Sequence, residues 1–196
     1  MEINKKRYND LDSYYKKRYR KKIIKLPLDG GFTCPNRDGT LSKLGCIYCS
    51  NKGAGEWTNR SFGDIKDQIA HQKSILSKPD RDEGYIAYFQ NFTNTYGQVE
   101  KMKAMFYTAI EEKDVIGLSI ATRADCLSDE VLDLLDKLKT KTDLTVELGM
   151  QSVNDRTIDF INRGYSHDAF DNGVDKLNSL SIDTCLLYTS DAADDT

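Results

Sequence analysis

The 196-residue chain has the composition of a globular protein without a membrane-spanning segment. Hydrophobic residues make up 39% and charged residues 30%, and the formal net charge is −3. These values are typical of a folded domain and argue against a general polyanion binder. The apolar runs are far shorter than the roughly 20 residues that a spanning helix needs. The N-terminus also lacks the apolar segment of a secretory signal. We therefore expect a cytoplasmic protein without a membrane partner, in which cysteines stay reduced.

Residues 1–21 are predicted to form a basic N-terminal segment. Lysines and arginines are concentrated between Lys5 and Lys25 and are interleaved with Tyr8, Tyr14, Tyr15 and Tyr19. Cations mixed with aromatic rings can bind RNA. The same pattern is also typical of a solvated helix ahead of a first strand. Both interpretations stay open at this point.

Strands and helices are predicted to alternate through a core of residues 22–184. Strand-like segments cover residues 22–28, 85–89, 115–120 and 144–148, and another strand begins at residue 182. Helical periodicity covers residues 62–76, 99–110, 128–138, 154–161 and 167–180, with Ser128 as an N-cap. This alternation predicts parallel βα units, arranged either as an open doubly wound sheet or as a barrel.

The last residues break this pattern. Residues 185–194, CLLYTSDAAD, resemble the translation of a transposon sequencing adapter. We therefore expect residues 185–196 to be a non-native tail and the natural protein to be longer than this chain.

A long loop of residues 29–55 holds three cysteines, Cys34, Cys46 and Cys49, spaced C-x11-C-x2-C. A C-x2-C pair places two thiolates on one turn, and the third arrives from the start of the loop. Three thiolates would leave one iron of a cubane cluster open for chemistry. A zinc site with His71 as the fourth ligand and plain unbound thiols are the alternatives. Cys126, outside this loop, is expected to be a buried thiol.

The run KLPLDGGFTCPNRDGTLSKLGCIYCS resembles the cluster loop of the YhcC-like radical S-adenosylmethionine (SAM) proteins, which are relatives of the Elongator catalytic subunit. The resemblance continues through YFQNFTNTYG, GLSIATRADCL, VELGMQS and INRGYS, and so covers residues 20–183. It implies an α/β fold, a partial (β/α)6 TIM-like barrel with about five parallel strands and flanking helices.

The resemblance also implies the cofactors. Cys34, Cys46 and Cys49 would bind three irons of a [4Fe-4S] cluster, and SAM would bind the open iron. Reductive cleavage of SAM would then give a 5′-deoxyadenosyl radical, with a flavodoxin- or ferredoxin-type protein as the one-electron reductant. Tyr48 matches the aromatic position of the superfamily that lies near the adenine.

Further SAM contacts are expected where successive strands end. By this resemblance the candidates are Gln90, Asn91, Thr122, Arg123, Glu147, Gln151 and Arg163. Arg163 is expected to hold the SAM carboxylate through two parallel hydrogen bonds. The alternatives are a surface ion pair at Arg123 and Asp125, and a structural pair between Glu147 and Arg163.

The substrate is not specified by these motifs, and no individual catalytic residue is predicted. Kinship with the Elongator subunit and the basic N-terminus suggest RNA, in particular tRNA. One alternative is a non-enzymatic zinc- or cluster-binding module for nucleic acid. Another is an oxygen-independent haem-pathway enzyme, a label often given to relatives of this type.

Overall fold

The computed structural model describes residues 8, 10–50, 53, 58, 63–78 and 81–188. Within them, five strands and six helices follow one another along the chain. The strands are β1 (Lys22–Leu28), β2 (Glu83–Phe89), β3 (Val115–Thr122), β4 (Asp143–Gln151) and β5 (Asp183–Tyr188). The helices are α1 (Leu11–Tyr19), α2 (Ile65–Leu76), α3 (Val99–Ile110), α4 (Asp129–Lys139), α5 (Asp155–Phe160) and α6 (His167–Ser179).

The strands form one parallel sheet in the order β1-β2-β3-β4-β5. Each strand therefore pairs with the next one along the chain, and the strand order never reverses. A doubly wound sheet would show such a reversal. The sheet accordingly has the winding of a barrel, which confirms the predicted fold class of about five parallel strands with flanking helices.

The two faces of the sheet differ in polarity because side chains alternate along a strand. On one face, Leu26, Phe89, Ile120 and Leu148 belong to the main hydrophobic cluster, together with side chains of α2, α3, α4 and α6. The residues between them on the strands point to the other face. That inner face carries polar side chains, including Lys25, Tyr88, Ser119 and Glu147. The fold thus places a polar layer inside the curved sheet.

Helix α1 lies at the amino edge of this sheet and buries none of its residues, as expected of a solvated helix; the RNA interpretation of this segment stays a prediction. Arg18 Nε donates to Asp143 Oδ2 at 2.9 Å, and its Nη1 lies 3.4 Å from Asp183 Oδ2. The Tyr19 hydroxyl also donates to Asp143. Asp143 and Asp183 are the first residues of β4 and β5, so α1 reaches across from β1 to the far side of the sheet.

The predicted tail begins inside β5. Residues 185–188 continue this strand and pair with β4, whereas residues 189–196 lie outside the described residues. The adapter interpretation stays a prediction. Among the described residues, no helix is long and apolar enough to cross a membrane.

Candidate functional site

The cysteine loop is folded by its own main chain. The amides of Arg37 and Asp38 donate to the Cys34 carbonyl at 2.8 and 3.1 Å, and the Cys49 amide donates to the Cys46 carbonyl at 3.1 Å. A further bond of 2.8 Å from the Gly45 amide to the Asn36 carbonyl joins the two ends of the loop. These turns bring cysteines from both ends of the C-x11-C-x2-C motif to one place.

Within the C-x2-C pair, hydrogen bonding favours negative charge on the sulfur of Cys46. A hydrogen bond from Cys49 lowers the pKa of Cys46 to about 5, and the positive charge of Arg123 acts in the same direction. The shared hydrogen bond raises the pKa of Cys49, against which Arg37 acts. A thiolate and a thiol that share a proton, with two guanidinium groups nearby, form a donor set suited to metal ligation, because metal ions bind thiolates.

All three cysteines line one cavity of about 400 Å³ at the carboxyl edge of the sheet. Parallel-barrel enzymes assemble their sites at this edge. Aromatic rings of Tyr48, Tyr88, Phe92 and Tyr165 form much of the wall. The cavity is therefore largely apolar apart from the thiols and a few polar side chains, as ligand sites commonly are.

Most of the predicted SAM contacts lie around this cavity. It is lined by Tyr48, Gln90, Thr122, Arg123, Gln151 and Arg163. Asn91 and Glu147, which were predicted with them, are not among the lining residues. The structure thus brings six of the eight candidates together with the cysteines.

Asn91 bonds away from the cavity. Its side-chain amide donates to Asp29 Oδ2 at 3.0 Å and to the hydroxyl of Thr58. Asn91 is only 3% exposed. It connects the end of β2 to the loop that follows β1, so its role in this structure is to support the loops beside the site.

Glu147 belongs to the polar layer on the inner face of the sheet. It forms an ion pair with Lys25 of β1 and accepts a hydrogen bond of 2.5 Å from Ser119 of β3. The suggested pair between Glu147 and Arg163 is therefore wrong. A buried carboxylate does need a partner, but the partner comes from a strand 122 positions earlier in the chain.

The guanidinium group of Arg163 is occupied by main-chain oxygens. Its Nη1 donates to the carbonyls of Met150 at 2.5 Å and Ser152 at 3.2 Å, and its Nε and Nη2 donate to Tyr165 O at 3.2 and 3.1 Å. Four of its five N–H groups are thereby used. The expected pair of parallel bonds to a carboxylate would require breaking some of them. Arg163 chiefly fixes the loops that follow β4.

Arg123 is held in a similar way. It makes two parallel bonds to Asp125, at 2.9 and 2.8 Å, and its Nη1 donates to Arg163 O at 2.8 Å. The pair with Asp125 is largely buried rather than superficial, because the Arg123 side chain is 9% exposed. Arg123 therefore connects the end of β3 to the loop after α5.

Tyr165 is a site residue that the sequence interpretation missed. The guanidinium carbons of Arg163 and Arg123 lie 4.2 and 4.7 Å from its ring centre. Its hydroxyl donates to Gly149 O at 2.5 Å, where β4 nears its end. Burial raises the pKa of Tyr165 to about 12, against the two cations. An aromatic residue two positions after Arg163 was the available signal, since arginine stacks on such rings.

Gln151 ends β4 in an unusual conformation. Its φ angle is +65°, in the left-handed region that non-glycine residues rarely adopt. The side chain is buried at the cavity wall. Such strained residues persist where the surroundings hold them, and they cluster at functional sites.

His71 does not join the cysteines. It lies on α2 and is not among the residues that line the cavity. Within the part of the chain that the structure describes, no group of three Cys, His, Asp or Glu side chains is arranged to hold a single metal ion. The zinc arrangement with His71 as fourth ligand is therefore not the one observed.

The chain is similar in sequence to proteins of one known family. The family model described as Radical SAM superfamily matches residues 39–190. The uncharacterised protein YtqA of Bacillus subtilis is 42% identical over 180 residues, which are 92% of this chain and 56% of that protein. Protein YhcC of Escherichia coli K12 is 35% identical over 170 residues, 86% of this chain and 54% of that protein. The chain thus spans about half the length of these curated relatives.

Among solved structures, the cobalamin-dependent S-adenosylmethionine radical enzyme OxsB, with aqua-cobalamin and S-adenosylmethionine bound, superposes with a TM-score of 0.52. The match covers 83% of this chain and 23% of OxsB, and the identity is 11%. This likeness concerns the fold alone. The family model spans most of the chain, so this chain belongs to the radical SAM superfamily.

Proposed function

We propose that this chain binds a [4Fe-4S] cluster through Cys34, Cys46 and Cys49 and cleaves SAM reductively. The observation that carries this proposal is the convergence of the three cysteines on one cavity at the carboxyl edge of a parallel sheet. When bound, a reduced cluster of this type supplies the electron that splits SAM into methionine and a 5′-deoxyadenosyl radical. A flavodoxin- or ferredoxin-type protein is the proposed source of that electron.

The side chains around the cavity would position SAM and exclude water. Tyr48, Gln90, Thr122 and Gln151 are the polar or amphipathic groups of the wall that we assign to SAM contacts. Arg123 and Arg163 hold the loops of the wall in place through their main-chain bonds. An apolar wall that excludes water would protect a reactive intermediate from side reactions.

The proposal is tested by anaerobic reconstitution followed by incubation with SAM and a low-potential reductant. We expect about four irons and four sulfides per chain, and formation of 5′-deoxyadenosine. Cys46→Ala should abolish both. Cys126→Ala is the matched control and should change neither, because Cys126 does not line the cavity.

An intact cluster without any 5′-deoxyadenosine would contradict the proposed reaction. YtqA should be assayed in parallel, because it extends beyond the region that this chain matches. Turnover by YtqA alone would show that the reaction needs that further region, whereas failure of both proteins would reject the reaction for this group.

We propose RNA, in particular tRNA, as the substrate class, because the chain resembles relatives of the Elongator catalytic subunit. Lys17 and Arg20 of the α1 region form no ion pair among the described residues and could contact phosphates. However, α1 lies at the amino edge and the cavity at the carboxyl edge. With strands of six to nine residues at about 3.3 Å per residue, the two edges are roughly 20–30 Å apart. Helix α1 could therefore anchor an RNA but could not present its reacting nucleotide.

This substrate class is tested by measuring tRNA affinity across salt concentrations. Phosphate contacts would make the binding weaken steeply as salt increases. Lys17→Gln combined with Arg20→Gln should weaken binding and reduce the salt slope. Binding that ignores salt and both substitutions would remove α1 as an RNA anchor.

A further inference from the structure

Two asparagines tie the cysteine loop to the loop after α5. Asn36 Nδ2 donates to the main-chain carbonyl of Asn162 at 2.6 Å, and Asn162 Nδ2 donates to the carbonyl of Gly45 at 2.6 Å. The Ile47 amide also donates to the Ile161 carbonyl, at 3.1 Å. The two loops therefore hold each other on both sides of Cys46.

The loop after α5 is shaped for this contact. Asn162 has a φ angle of +53° and Gly164 one of +78°, both in the left-handed region. A Cβ atom added to Gly164 would lie 3.0 Å from Asn36 Oδ1, closer than real Cβ contacts normally come. Asn36 is only 1% exposed. The backbone thus makes room for the Asn36 amide at a defined place.

The second N–H of Asn36 faces the sulfur of a predicted cluster ligand. Asn36 Nδ2 lies 3.4 Å from Cys46 Sγ, within hydrogen-bond range for sulfur. An amide nitrogen has two hydrogens, so one can bond to the Asn162 carbonyl and the other to the sulfur.

The orientation of this amide follows from its surroundings. If the amide were flipped, its oxygen would face the Asn162 carbonyl oxygen at 2.6 Å, which is repulsive. Asn36 Oδ1 is buried and accepts no hydrogen bond among the described residues. The amide therefore keeps its nitrogen toward the Asn162 carbonyl and the Cys46 sulfur, although its oxygen then lacks a hydrogen bond.

We propose that Asn36 is a positioning residue that raises the reduction potential of the cluster through its hydrogen bond to Cys46 Sγ. This inference rests on the proposed cluster. Hydrogen bonds to the sulfur ligands are one of the determinants of iron–sulfur potentials. Reduction adds negative charge to the cluster and its thiolates, so an N–H donor stabilises the reduced state more than the oxidised one.

The test is a redox titration of the reconstituted protein in the absence of SAM, followed by electron paramagnetic resonance. Asn36→Ala should make reduction about tenfold less favourable, which corresponds to a potential about 59 mV lower for a one-electron couple. Asn36→Asp should lower the potential further, because it replaces the donor with a carboxylate that keeps the shape of the side chain.

Asn162→Gly is the matched control. It removes the bond to the Gly45 carbonyl but keeps its own main-chain carbonyl and permits the positive φ angle. We expect an unchanged potential with faster loss of iron to a chelator. If Asn36→Ala behaves like this control, with faster iron loss and an unchanged potential, Asn36 is merely structural and the inference is overturned.

A second measurement decides the matter if the Asn36 variants hold no cluster. In the unaltered protein with ¹⁵N only in asparagine side chains, the reduced cluster should show hyperfine coupling to nitrogen. Absence of this coupling would overturn the inference while leaving the proposed function intact. An unaltered chain that takes up no iron and sulfide would overturn the proposed function itself, and the inference with it.

Discussion

At the carboxyl edge of the sheet, Arg163 binds main-chain oxygens and Arg123 divides its donors between main-chain oxygens and Asp125, whereas at the amino edge Arg18 of α1 binds the carboxylates that begin β4 and β5. Arg163 holds three carbonyls beside the cysteines. Arg18 instead pairs with Asp143, 125 positions away in the chain, and with Asp183. Both edges carry cations, and the cavity that the cysteines line lies at the carboxyl edge.

The difference follows from what each arginine can reach. Loops after β4 and α5 expose carbonyl oxygens that no regular element satisfies, and buried carbonyls require donors. The first residues of β4 and β5 are carboxylates, which neutralise α1 instead. At the carboxyl edge the arginines thus fix the backbone around the cavity, whereas Arg18 at the amino edge fixes a helix against the ends of two strands.

The largest expected effect concerns thiol reactivity at the carboxyl edge. In the cluster-free protein, a pKa of about 5 keeps Cys46 ionised at pH 7, because Cys49 donates a hydrogen bond to it. Burial and the nearby Asp125 raise the pKa of Cys126 to about 12. Thiolates react with iodoacetamide and thiols do not, so Cys46 should be alkylated faster than Cys126 even though Cys46 is only 9% exposed, as peptide mass spectrometry would measure.

The alkylation rates of the two cysteines should depend on pH in different ways. The rate at Cys46 should be flat between pH 6 and 8, above its pKa, whereas the rate at Cys126 should rise about tenfold per pH unit, since it stays below its pKa. Reconstitution of the cluster should protect Cys46. Equal rates at the two residues in the cluster-free protein would mean that the cavity does not favour a thiolate.

The next largest effect should come from removing the arginine that supports the cavity. Arg163→Met would leave the buried carbonyls of Met150, Ser152 and Tyr165 without their donor. Each buried carbonyl without a donor costs about 1–3 kcal/mol, and water that enters from the cavity should satisfy part of this need. We therefore expect the free energy of unfolding to fall by about 3–5 kcal/mol. Urea denaturation measures this.

Arg163→Lys is the control for charge. A lysine keeps the positive charge but cannot reproduce the planar arrangement of donors, so we expect it to recover less than half of the loss. Full recovery by lysine would show that Arg163 acts through its charge, for example on a bound carboxylate, rather than through the backbone.

A smaller effect is expected in the polar layer between the two edges. Lys25→Met would leave the buried carboxylate of Glu147 with Ser119 but without its cation. Breaking a buried ion pair costs about 3–5 kcal/mol; because the Lys25 side chain is 26% exposed, we expect a loss nearer 2 kcal/mol. Adding Glu147→Gln to Lys25→Met should restore most of it in a double-mutant cycle. Additive losses would contradict a direct pair.

The fold and the grouping of the three cysteines at one cavity could be predicted from the sequence because both depend on local patterns. Strand β1 and helix α3 were bounded correctly by hydrophobic periodicity. Ser128 was correctly predicted as an N-cap, and it accepts a hydrogen bond from the amide of Val131. Cys34, Cys46 and Cys49 share a loop whose spacing is itself the signal.

The partners of the charged residues could not be predicted, because they are chosen by tertiary packing. Glu147 meets Lys25 because β1 and β4 face each other across the inner side of the curved sheet. Proximity in sequence suggested Arg163 as the partner of Glu147. Arg163 instead lies in the loops at the carboxyl edge, outside the polar layer that holds Glu147. Asn36 was overlooked for a similar reason, since its partner Asn162 lies 126 positions away.

The smallest loss in the free energy of unfolding should come from a substitution at the amino edge, and it tests whether the two edges act independently. Arg18→Gln would remove the ion pairs with Asp143 and Asp183. Because the Arg18 side chain is 38% exposed, solvent screening limits the loss in the free energy of unfolding to about 0.5–1 kcal/mol. The loss should shrink as salt increases. Lys17→Gln, next to it on α1, should change nothing.

Iron content and the alkylation rate of Cys46 should be the same in the Arg18 variant as in the unaltered protein, because the pairs of Arg18 lie at the opposite edge from the cysteines. A drop in iron content would mean that α1 and the cysteine loop are coupled through the polar layer. Tyr15 would be the first residue to examine, since burial and the Glu147 carboxylate raise its pKa to about 12. Tyr15→Phe combined with Arg18→Gln should then lose no more iron than Arg18→Gln alone.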